Sequence, residues 1–243
     1  MTRPVEEREG QRRGVRARIE KRYLELLCSV YLYNEHRGYT GLDRILEAIR
    51  GSYPEGDPFI ARVEKHRADE HKHYVMFRRW FERRGQMPYA VDKIGQIDAI
   101  IEMFFGREID ALEPTPILAD EAKFAQLCRA ISLTERRGMR QVEEFLASPL
   151  VQADDHLVKI FKVIERDEPS HWEPYEEWLD AHGFPRARLR ERLTDSFAHA
   201  VVVALKFPRM LVSPRLRRRH DWPDEVVPAV RSEAPRVARA DDA

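Results

Sequence analysis

Apolar residues recur at intervals of three and four positions along most of the chain, which is the periodicity of amphipathic helices. Glycine and proline cluster between these stretches, as in GSYPEGDP at 51–58 and EPTP at 113–116, and such clusters are typical of loops. No alternation of the strand type competes with this pattern. The sequence therefore predicts an all-α fold with four long helices, at about 15–35 and beyond, 58–84, 118–147 and 150–182.

Short connections between long helices are typical of a bundle, and two shorter apolar stretches add further helices to it. They lie between the second and third helices, at about 91–105, and after the fourth, at about 186–212. Residues 1–13 and about 222–243 are rich in Pro, Arg and Asp, a composition typical of disordered chain. We therefore expect a tail, a helical domain, and a basic segment with a second tail, at 1–13, 14–213 and 214–243.

Composition and charge argue against several classes of protein. Lys and Arg together number 42, as do Asp and Glu, so no net charge attracts the chain to nucleic acid. Cys28 and Cys128 are too few for a secreted disulfide scaffold, and the polar N-terminus lacks the apolar core of a signal peptide. No apolar run reaches the roughly 18–20 residues that a membrane span needs. We therefore expect a cytoplasmic protein.

The two halves of the chain repeat each other. The first helix recurs in the third at an offset of 100 residues, with the identities Leu27/Leu127, Cys28/Cys128, Glu35/Glu135, Arg37/Arg137 and Gly38/Gly138. The second recurs in the fourth at an offset of 98, with Asp69/Asp167, Glu70/Glu168, His73/His171, Trp80/Trp178 and Gly85/Gly183. Shared helical periodicity accounts for the paired leucines alone. Because Glu, His, Trp and Gly recur in the same order, we infer duplication of a helical hairpin.

Glu35 and Glu135 occupy positions at which the helical pattern calls for an apolar residue. An ionised carboxylate in a protein interior costs several kcal/mol unless a cation or strong donors meet it. A bound metal ion would supply that compensation. A buried ion pair with Arg37, Arg67 or Arg137 is the alternative.

Two Glu-x-x-His sequences, Glu70 to His73 and Glu168 to His171, extend this set. Residues three apart share one face of a helix, so each pair directs a carboxylate and an imidazole toward the same point. One such pair arises often by chance. Two of them, each preceded by a helix with one interior glutamate, make a ligand set for two metal ions. Pro169 predicts a kink or bulge in the fourth helix at this site.

With this order of ligands the chain resembles the ferritin-like di-iron carboxylate superfamily, over about residues 20–182. The resemblance implies a four-helix bundle that holds two iron ions, or manganese or a mixed pair, through Glu35, Glu70, His73, Glu135, Glu168 and His171. It also implies activation of dioxygen. Asp69 and Asp167 match the aspartate that in this superfamily holds a ligating histidine of the opposite half. Solvent exposure of these two carboxylates is the alternative.

Three features favour the oxygenase or hydroxylase branch, acting on an apolar or aromatic organic substrate. The 65-residue separation of Glu70 from Glu135 leaves room for an inserted helix, as in desaturases and arylamine oxygenases of the superfamily. No Cys-x-x-Cys pair exists, so the rubredoxin-like module of rubrerythrin is absent and a separate electron donor is required. Large apolar residues can line a substrate channel: Tyr31, Phe77, Met103, Phe104, Met139 and Phe145.

The alternatives are a ferritin- or rubrerythrin-like protein for iron oxidation, iron handling or peroxide scavenging, and a metal-free interaction protein. His66, four residues before Glu70, is either a further ligand or a nearby non-ligand, and Tyr31 is either redox-active or core. The basic, apolar segment at 195–220 either lies in a membrane interface, where it would admit a lipid-soluble substrate, or packs over the bundle or in a homodimer interface.

Overall fold

The computed structural model describes residues 5–92, 96–107 and 109–225, and the side chains of 5–13, 96 and 97 are outside the description. The described residues are helical and form no strand, and a single β-bridge joins Tyr89 to Arg218. The predicted all-α class is confirmed. The α-helices are α1 (Val5–Ser52), α2 (Pro58–Glu82), α3 (Gln96–Phe105), α4 (Pro114–Leu118), α5 (Glu121–Leu146), α6 (Pro149–Gln152), α7 (Asp155–Asp167), α8 (Pro169–Ala181), α9 (Leu189–Val201) and α10 (Phe207–Val212).

Helices α1 and α2 form an antiparallel pair. Asp57 caps the start of α2 by accepting a hydrogen bond from the backbone N–H of Phe59, and Pro58 suits the first turn because its missing N–H has no helical partner there. Ion pairs then join Arg50 to Glu64 near the loop and Asp43 to Arg67 further along. The residue number falls along α1 as it rises along α2, so the two helices run in opposite directions.

The second pair consists of α5 against α7 and α8, and it repeats the first. Aromatic contacts join Phe145 to Phe161 at one end and Phe124 to Trp178 at the other, so the directions are again opposed.

Both helical pairs end in the same kind of cap. Gly85 and Gly183 adopt positive φ angles of 61° and 71°, which glycine tolerates, and the next N–H closes the helix on the carbonyl five residues back. This shared cap gives a structural reason for the recurrence of glycine at these two positions: each glycine ends the last helix of its pair.

The segment predicted as one helix at 150–182 is divided into α6, α7 and α8. Asp154 ends the first piece and caps the second by accepting from the N–H groups of His156 and Leu157. The second division falls at Glu168, because Pro169 has no N–H to continue the ladder. His171 N–H instead bonds the Glu168 carbonyl at 2.8 Å, a tighter turn. The predicted distortion at this proline is therefore present.

Two apolar clusters fill the interior between the helical pairs. One includes Ile45, Ile49, Val63, Phe124 and Tyr175, and the other includes Leu27, Leu32, Phe77, Phe81 and Phe161. On every one of these helices the polar residues discussed below lie between members of the two clusters. The polar site is therefore enclosed by apolar packing at both ends.

The C-terminal part departs from the predicted boundaries. After α9, a π-helical turn at Val202–Lys206 leads into α10. Residues 222–225, the start of the predicted second tail, pack on the helical domain: Trp222 is buried, and Asp224 accepts hydrogen bonds from Tyr74 and from Arg78 at 3.0 Å. An aromatic ring and an acid facing arginine anchor a segment that composition alone assigns to disorder. The rest of the predicted second tail, 226–243, lies outside the described residues.

At the other end of the chain, α1 begins at Val5, inside the segment 1–13 that composition assigns to a tail, and residues 1–4 lie outside the description. The helix also continues to Ser52, well past Glu35. Among the described residues, no helix combines the length and apolar character that crossing a bilayer requires.

Candidate metal centre

The six residues predicted to bind metal lie on helices that face one another. They belong to α1, α2, α5 and the α7–α8 junction: Glu35; Glu70 and His73; Glu135; Glu168 and His171. Nδ1 of His73 lies 3.4 Å from Oε2 of Glu35, and Nδ1 of His171 lies 3.4 Å from Oε1 of Glu70. The same His171 nitrogen lies 3.9 Å from Glu135 and 3.7 Å from Glu168. The fold thus brings all six together.

Ligand atoms in this cluster fall into two groups, each compact enough for one ion. Glu35, Glu70 and His73 offer atoms within 4.8 Å of one another, as do His66, Glu70, Glu135 and His171. Glu70 belongs to both groups and thus lies where a carboxylate would bridge two ions. Glu168 belongs to neither group, although its Oε2 atom remains near His171. Five of the six predicted residues are buried and Glu135 is half-buried.

Several buried polar atoms at the centre of this cluster have no hydrogen-bond partner among the described residues. They are Oε2 of Glu35, Oε2 of Glu168, Nε2 of His66, Nδ1 of His73 and Nδ1 of His171. Each unsatisfied buried group costs roughly 1–3 kcal/mol, and more if it is charged. These are all lone-pair donors suited to a cation, and they come from three different parts of the fold: α1, α2 and the α7–α8 junction. The arrangement therefore fits a bound metal.

Mutual repulsion makes the cluster unfavourable as a set of free carboxylates. Burial raises the pKa of Glu70 well above its usual value, and the negative charges of Glu35, Glu135 and Glu168 raise it further. Burial likewise raises the pKa of Glu168, with Glu135 and Glu35 adding to the effect. Without a cation, the protonated form of these two carboxyls is therefore favoured over the ionised form. Divalent ions would displace those protons and neutralise the charge.

Asp69 and Asp167 each face the histidine of the opposite half. Nε2 of His73 lies 3.2 Å from Oδ2 of Asp167, and Nε2 of His171 lies 3.6 Å from Oδ2 of Asp69. Both aspartates are buried, so the solvent-exposed alternative does not hold. Although burial raises a carboxyl pKa, hydrogen bonds with histidine and lysine keep the pKa of both aspartates below its usual range. Asp167 thus holds the ring of His73 by a hydrogen bond, so that Nδ1 faces the cluster. Asp69 lies on the corresponding side of His171, although Nε2 of His171 has no hydrogen-bond partner among the described residues.

The ring of His73 responds to the same contacts. Burial lowers the pKa of an imidazole, but the carboxylates of Asp167 and Glu35 outweigh it and raise the pKa of His73 to about 9. The pKa of His171 is raised for the corresponding reason, with Asp69 and Glu135 opposing the effect of burial. Both rings thus face excess negative charge, and a metal ion would take the place of the proton at Nδ1.

Lys72 is a member of this site that the sequence pattern missed. Its ammonium nitrogen lies 2.5 Å from Oδ1 of Asp69 and 2.6 Å from Oδ2 of Asp167, and so joins the two aspartates of the two halves. The available signal was its spacing, three residues after Asp69 on the same helix face. Lysine is common on helix surfaces, and the second half of the repeat has Ser170 at this position, so the repeat does not mark it.

His66 lies with the predicted ligands. Its Nε2 atom is 3.8 Å from Oε1 of Glu70 and 3.8 Å from Oε1 of Glu135, while Nδ1 lies 3.1 Å from the hydroxyl of Tyr175. The ring stacks on that of His171 with 4.2 Å between centroids. Burial, with the neighbouring imidazoles of His171 and His73, lowers its pKa well below the usual value. The ring is therefore neutral, with a nitrogen facing the site.

Glycine at 38 is required by the approach of Glu70. A Cβ atom built on Gly38 would collide with Oε2 of Glu70 from the neighbouring helix. At the duplicated position, a Cβ on Gly138 would lie 3.6 Å from Oε1 of Glu168, which is an ordinary contact. Both glycines thus adjoin a carboxylate of the cluster, and only the first leaves no space for a side chain.

A cavity of about 440 Å³ extends from the carboxylates of the cluster toward α9 and α10. Its walls combine apolar and polar residues. The apolar ones include Leu27, Val30, Tyr31, Phe145, Val202 and Phe207, and the polar and charged ones, apart from the glutamates of the cluster, are Asn34, Thr134, Arg137, Gln141, Glu144 and His199. Glu35, Glu70, Glu135 and Glu168 line its inner end. The cavity is thus large enough for a small organic molecule that reaches the candidate metal site.

The structure corrects part of the predicted channel lining. Tyr31 and Phe145 line the cavity, whereas Phe77 is fully buried and packs against Tyr31 with 5.4 Å between ring centroids. Phe104 and Met139 do not line it, and Met103 is 41% exposed. The hydroxyl of Tyr31 is buried without a hydrogen-bond partner among the described residues. Helical spacing identifies apolar positions, but it does not distinguish a cavity wall from solid core.

Comparison with known proteins does not supply a family. No protein-family model matches the chain, and no curated protein and no solved structure matches it either.

Proposed function

We propose that the chain is a di-iron oxygenase or hydroxylase of the ferritin-like type, which oxidises an apolar or aromatic organic molecule. The antiparallel pairs α1–α2 and α5 with α7–α8 support a ferritin-like four-helix arrangement. The single observation that carries the proposal is the convergence of unpartnered carboxylate and imidazole atoms at the inner end of a cavity that is partly lined by apolar residues. The candidate metal ligands thus adjoin a space that could hold a substrate.

The donor set favours iron, with manganese or a mixed pair as alternatives. Four carboxylates balance the charge of two divalent ions, and oxygen and imidazole ligands suit iron or manganese better than a thiolate-seeking metal. Cys28 and Cys128 are both buried and belong to neither ligand group. Bound iron would supply the activation of dioxygen, and a separate electron donor would supply the electrons.

The side chains of this protein have distinct parts in that chemistry. Glu70, which belongs to both ligand groups, would take part in holding both ions, with Glu35 and His73 in one group and Glu135 and His171 in the other. Asp69 and Asp167 orient the rings, and Lys72 fixes the two aspartates against each other. Val30, Phe145 and other apolar walls exclude water and hold the substrate beside the metal.

The cavity favours the oxygenase over the alternative, a ferroxidase or other iron-handling protein. Oxidation of iron alone requires a path for ions, whereas an organic substrate requires space with apolar walls next to the ligands. Apolar residues line the cavity on the sides of α1 and of the α9–α10 segment, whereas α5 contributes Phe145 among mostly polar side chains. We therefore rank substrate oxidation first.

Anaerobic titration with ferrous iron tests the metal site. We expect about two irons per chain for the wild type, and a large loss in Glu70→Ala, because Glu70 would bind both ions. Glu176→Gln is the matched control: Glu176 is a buried carboxylate, but it pairs with Arg136 and lies outside both ligand groups. Little or no iron in the wild type would favour the metal-free interaction protein.

A second experiment separates the two iron-dependent functions. Val30→Trp places a large ring in the cavity without altering any predicted ligand. An oxygenase with this change would still bind iron but would no longer oxidise apolar test substrates under dioxygen. Rapid formation of ferric mineral in the wild type, unaffected by Val30→Trp, would instead support the ferroxidase.

A further inference from the structure

An apolar stripe runs along the outer face of the C-terminal helices. Leu189, Leu193 and Phe197 follow one another at intervals of four residues and are 73%, 61% and 64% exposed. Side chains at this spacing share one face of a helix. Beyond this stripe, three further apolar residues are more than half exposed on the π-helical turn and α10: Val203, Leu205 and Val212. Large apolar residues clustered in this way on a protein surface mark an interaction site.

The acidic and basic side chains of the same segment lie on different faces. The range 188–217 is described throughout, and its two acidic residues are both turned inward. Glu191 accepts a 2.6 Å hydrogen bond from the buried guanidinium of Arg129, and Asp195 pairs with Arg137. The exposed charges of the range are arginines: Arg188, Arg190, Arg192, Arg209, Arg215 and Arg217. The outer surface is therefore apolar and positively charged.

The inner face of the same segment closes the cavity. Val202, the first residue of the π-helical turn, and Phe207, the residue after it, line the cavity that leads to the carboxylate cluster. Val203 both lines the cavity and is 51% exposed. One short stretch of chain thus separates the cavity from whatever surface the stripe contacts.

We propose that residues 189–212 dock on the surface of an anionic lipid bilayer, with the stripe in the interface and the arginines at the headgroups. An interfacial helix combines an apolar face with basic residues, as this segment does, and it needs no membrane span. A second copy of the chain fits less well, since it would bring two arginine-rich surfaces together. Docking in this way places the cavity next to the acyl chains, from which an apolar substrate can enter.

Vesicle flotation of the full chain tests this proposal. The wild type is expected to float with vesicles of phosphatidylcholine containing about 30% phosphatidylserine, and to float much less with phosphatidylcholine alone or at high salt. Leu193→Ser with Phe197→Ser should lower partitioning about tenfold or more, because both side chains would enter the apolar interface. Arg190→Glu with Arg209→Glu should lower it on anionic vesicles to a similar extent.

Two control variants match these changes elsewhere on the surface. Val15→Ser with Ile19→Ser removes apolar residues that are 43% and 54% exposed on α1, and Arg79→Glu with Arg83→Glu reverses exposed charges at the end of α2. Both should float like the wild type. All substituted residues are exposed, and circular dichroism will verify that each variant is folded.

Three results would overturn the proposal: no flotation of the wild type, equal flotation of the stripe variants, or a self-associated wild type whose stripe variants become monomeric without any change in flotation. Flotation is measured on metal-free protein, so the outcome is independent of the proposed oxygenase function.

Discussion

Carboxylates at the candidate centre lie close together, and small side chains make this possible. Glu70 reaches between both groups of ligands only because Gly38 presents no Cβ on the facing helix. Two orienting aspartates and a shared lysine then surround the histidines. These residues contact one another across helices. The effect of a substitution at the site therefore depends on the residues of the facing helix.

Gly38→Ala tests this close approach. The added methyl group must displace Glu70, so we expect iron binding to fall from about two to one or fewer ions per chain. Gly138→Ala is the matched control, because its methyl group would meet Glu168 at an ordinary distance. Alanine favours helix over glycine by about 1 kcal/mol, so metal-free Gly138→Ala should melt slightly higher while binding iron normally. Equal iron content in both variants would contradict the argument.

At the residue scale, site residues could be predicted from the sequence where the residue type did not match its position in the helical pattern. Glu35 and Glu135 were identified because charge occupied apolar positions, and the repeat then identified the histidines. Lys72 was missed because a lysine on a helix is unremarkable until its two acidic partners are seen. Whether the identified residues bind metal stays a prediction.

At the scale of elements, helices α5 and α8 are joined by a polar contact within otherwise apolar packing. Glu176 on α8 accepts hydrogen bonds from Ser132 at 2.7 Å and from Arg136 at 2.6 Å, both on α5. Burial tends to raise the pKa of Glu176, but these two donors outweigh it and lower the pKa. The ionised carboxylate is therefore the form that stabilises this contact.

Glu176→Gln should thus destabilise the protein in a pH-dependent way. A carboxyl whose pKa is lower in the folded state contributes stability above its unfolded pKa of about 4.3 and loses it as the pH falls further. We expect a loss of roughly 1–2 kcal/mol at pH 7, from weakened charge-assisted hydrogen bonds, and a smaller loss at about pH 3.5. Urea unfolding of both proteins at the two pH values measures this. An equal difference at both would show that the charge has no part in it.

Boundaries of the elements were predictable only where a local signal exists. Gly85, Gly183 and Pro169 end or interrupt helices by backbone chemistry, so their effects followed from the sequence. The division at Asp154 was not predicted, because its cap becomes visible only with the chain reversal before α7. The anchoring of 222–225 depends on contacts of Trp222 and Asp224 with α2. Contacts of that kind leave no periodic pattern.

At the scale of the whole molecule, the cluster of buried carboxyl groups lowers the stability of the metal-free fold, and bound metal ions would offset this cost. Glu70 and Glu168 must be protonated or compensated in the folded state, whereas both are solvated in the unfolded chain. A ligand that binds the folded state alone stabilises it by mass action. Folding and metal binding should therefore be coupled.

Metal removal tests this coupling. Ferrous iron at a hundred times its dissociation constant should stabilise the folded state by about 2.7 kcal/mol per site, which raises the melting temperature by roughly 5–10 °C. A chelator should reverse the shift. Glu70→Ala is the control, and its melting temperature should not change with iron concentration. Equal melting of the wild type with and without iron would argue against a metal site.

The sequence by itself determined the helical class, the repeat of the helical hairpin, and the set of Glu and His side chains that need a partner in the interior. It could do so because periodicity and repetition are local properties of the chain. Only the tertiary structure decided which atoms face one another, that Glu70 belongs to both ligand groups, and that His66 lies with them. It also decided which apolar residues border empty space and which stay exposed on α9 and α10. These depend on how distant helices pack, and the spacing of residues along one helix does not specify its partner.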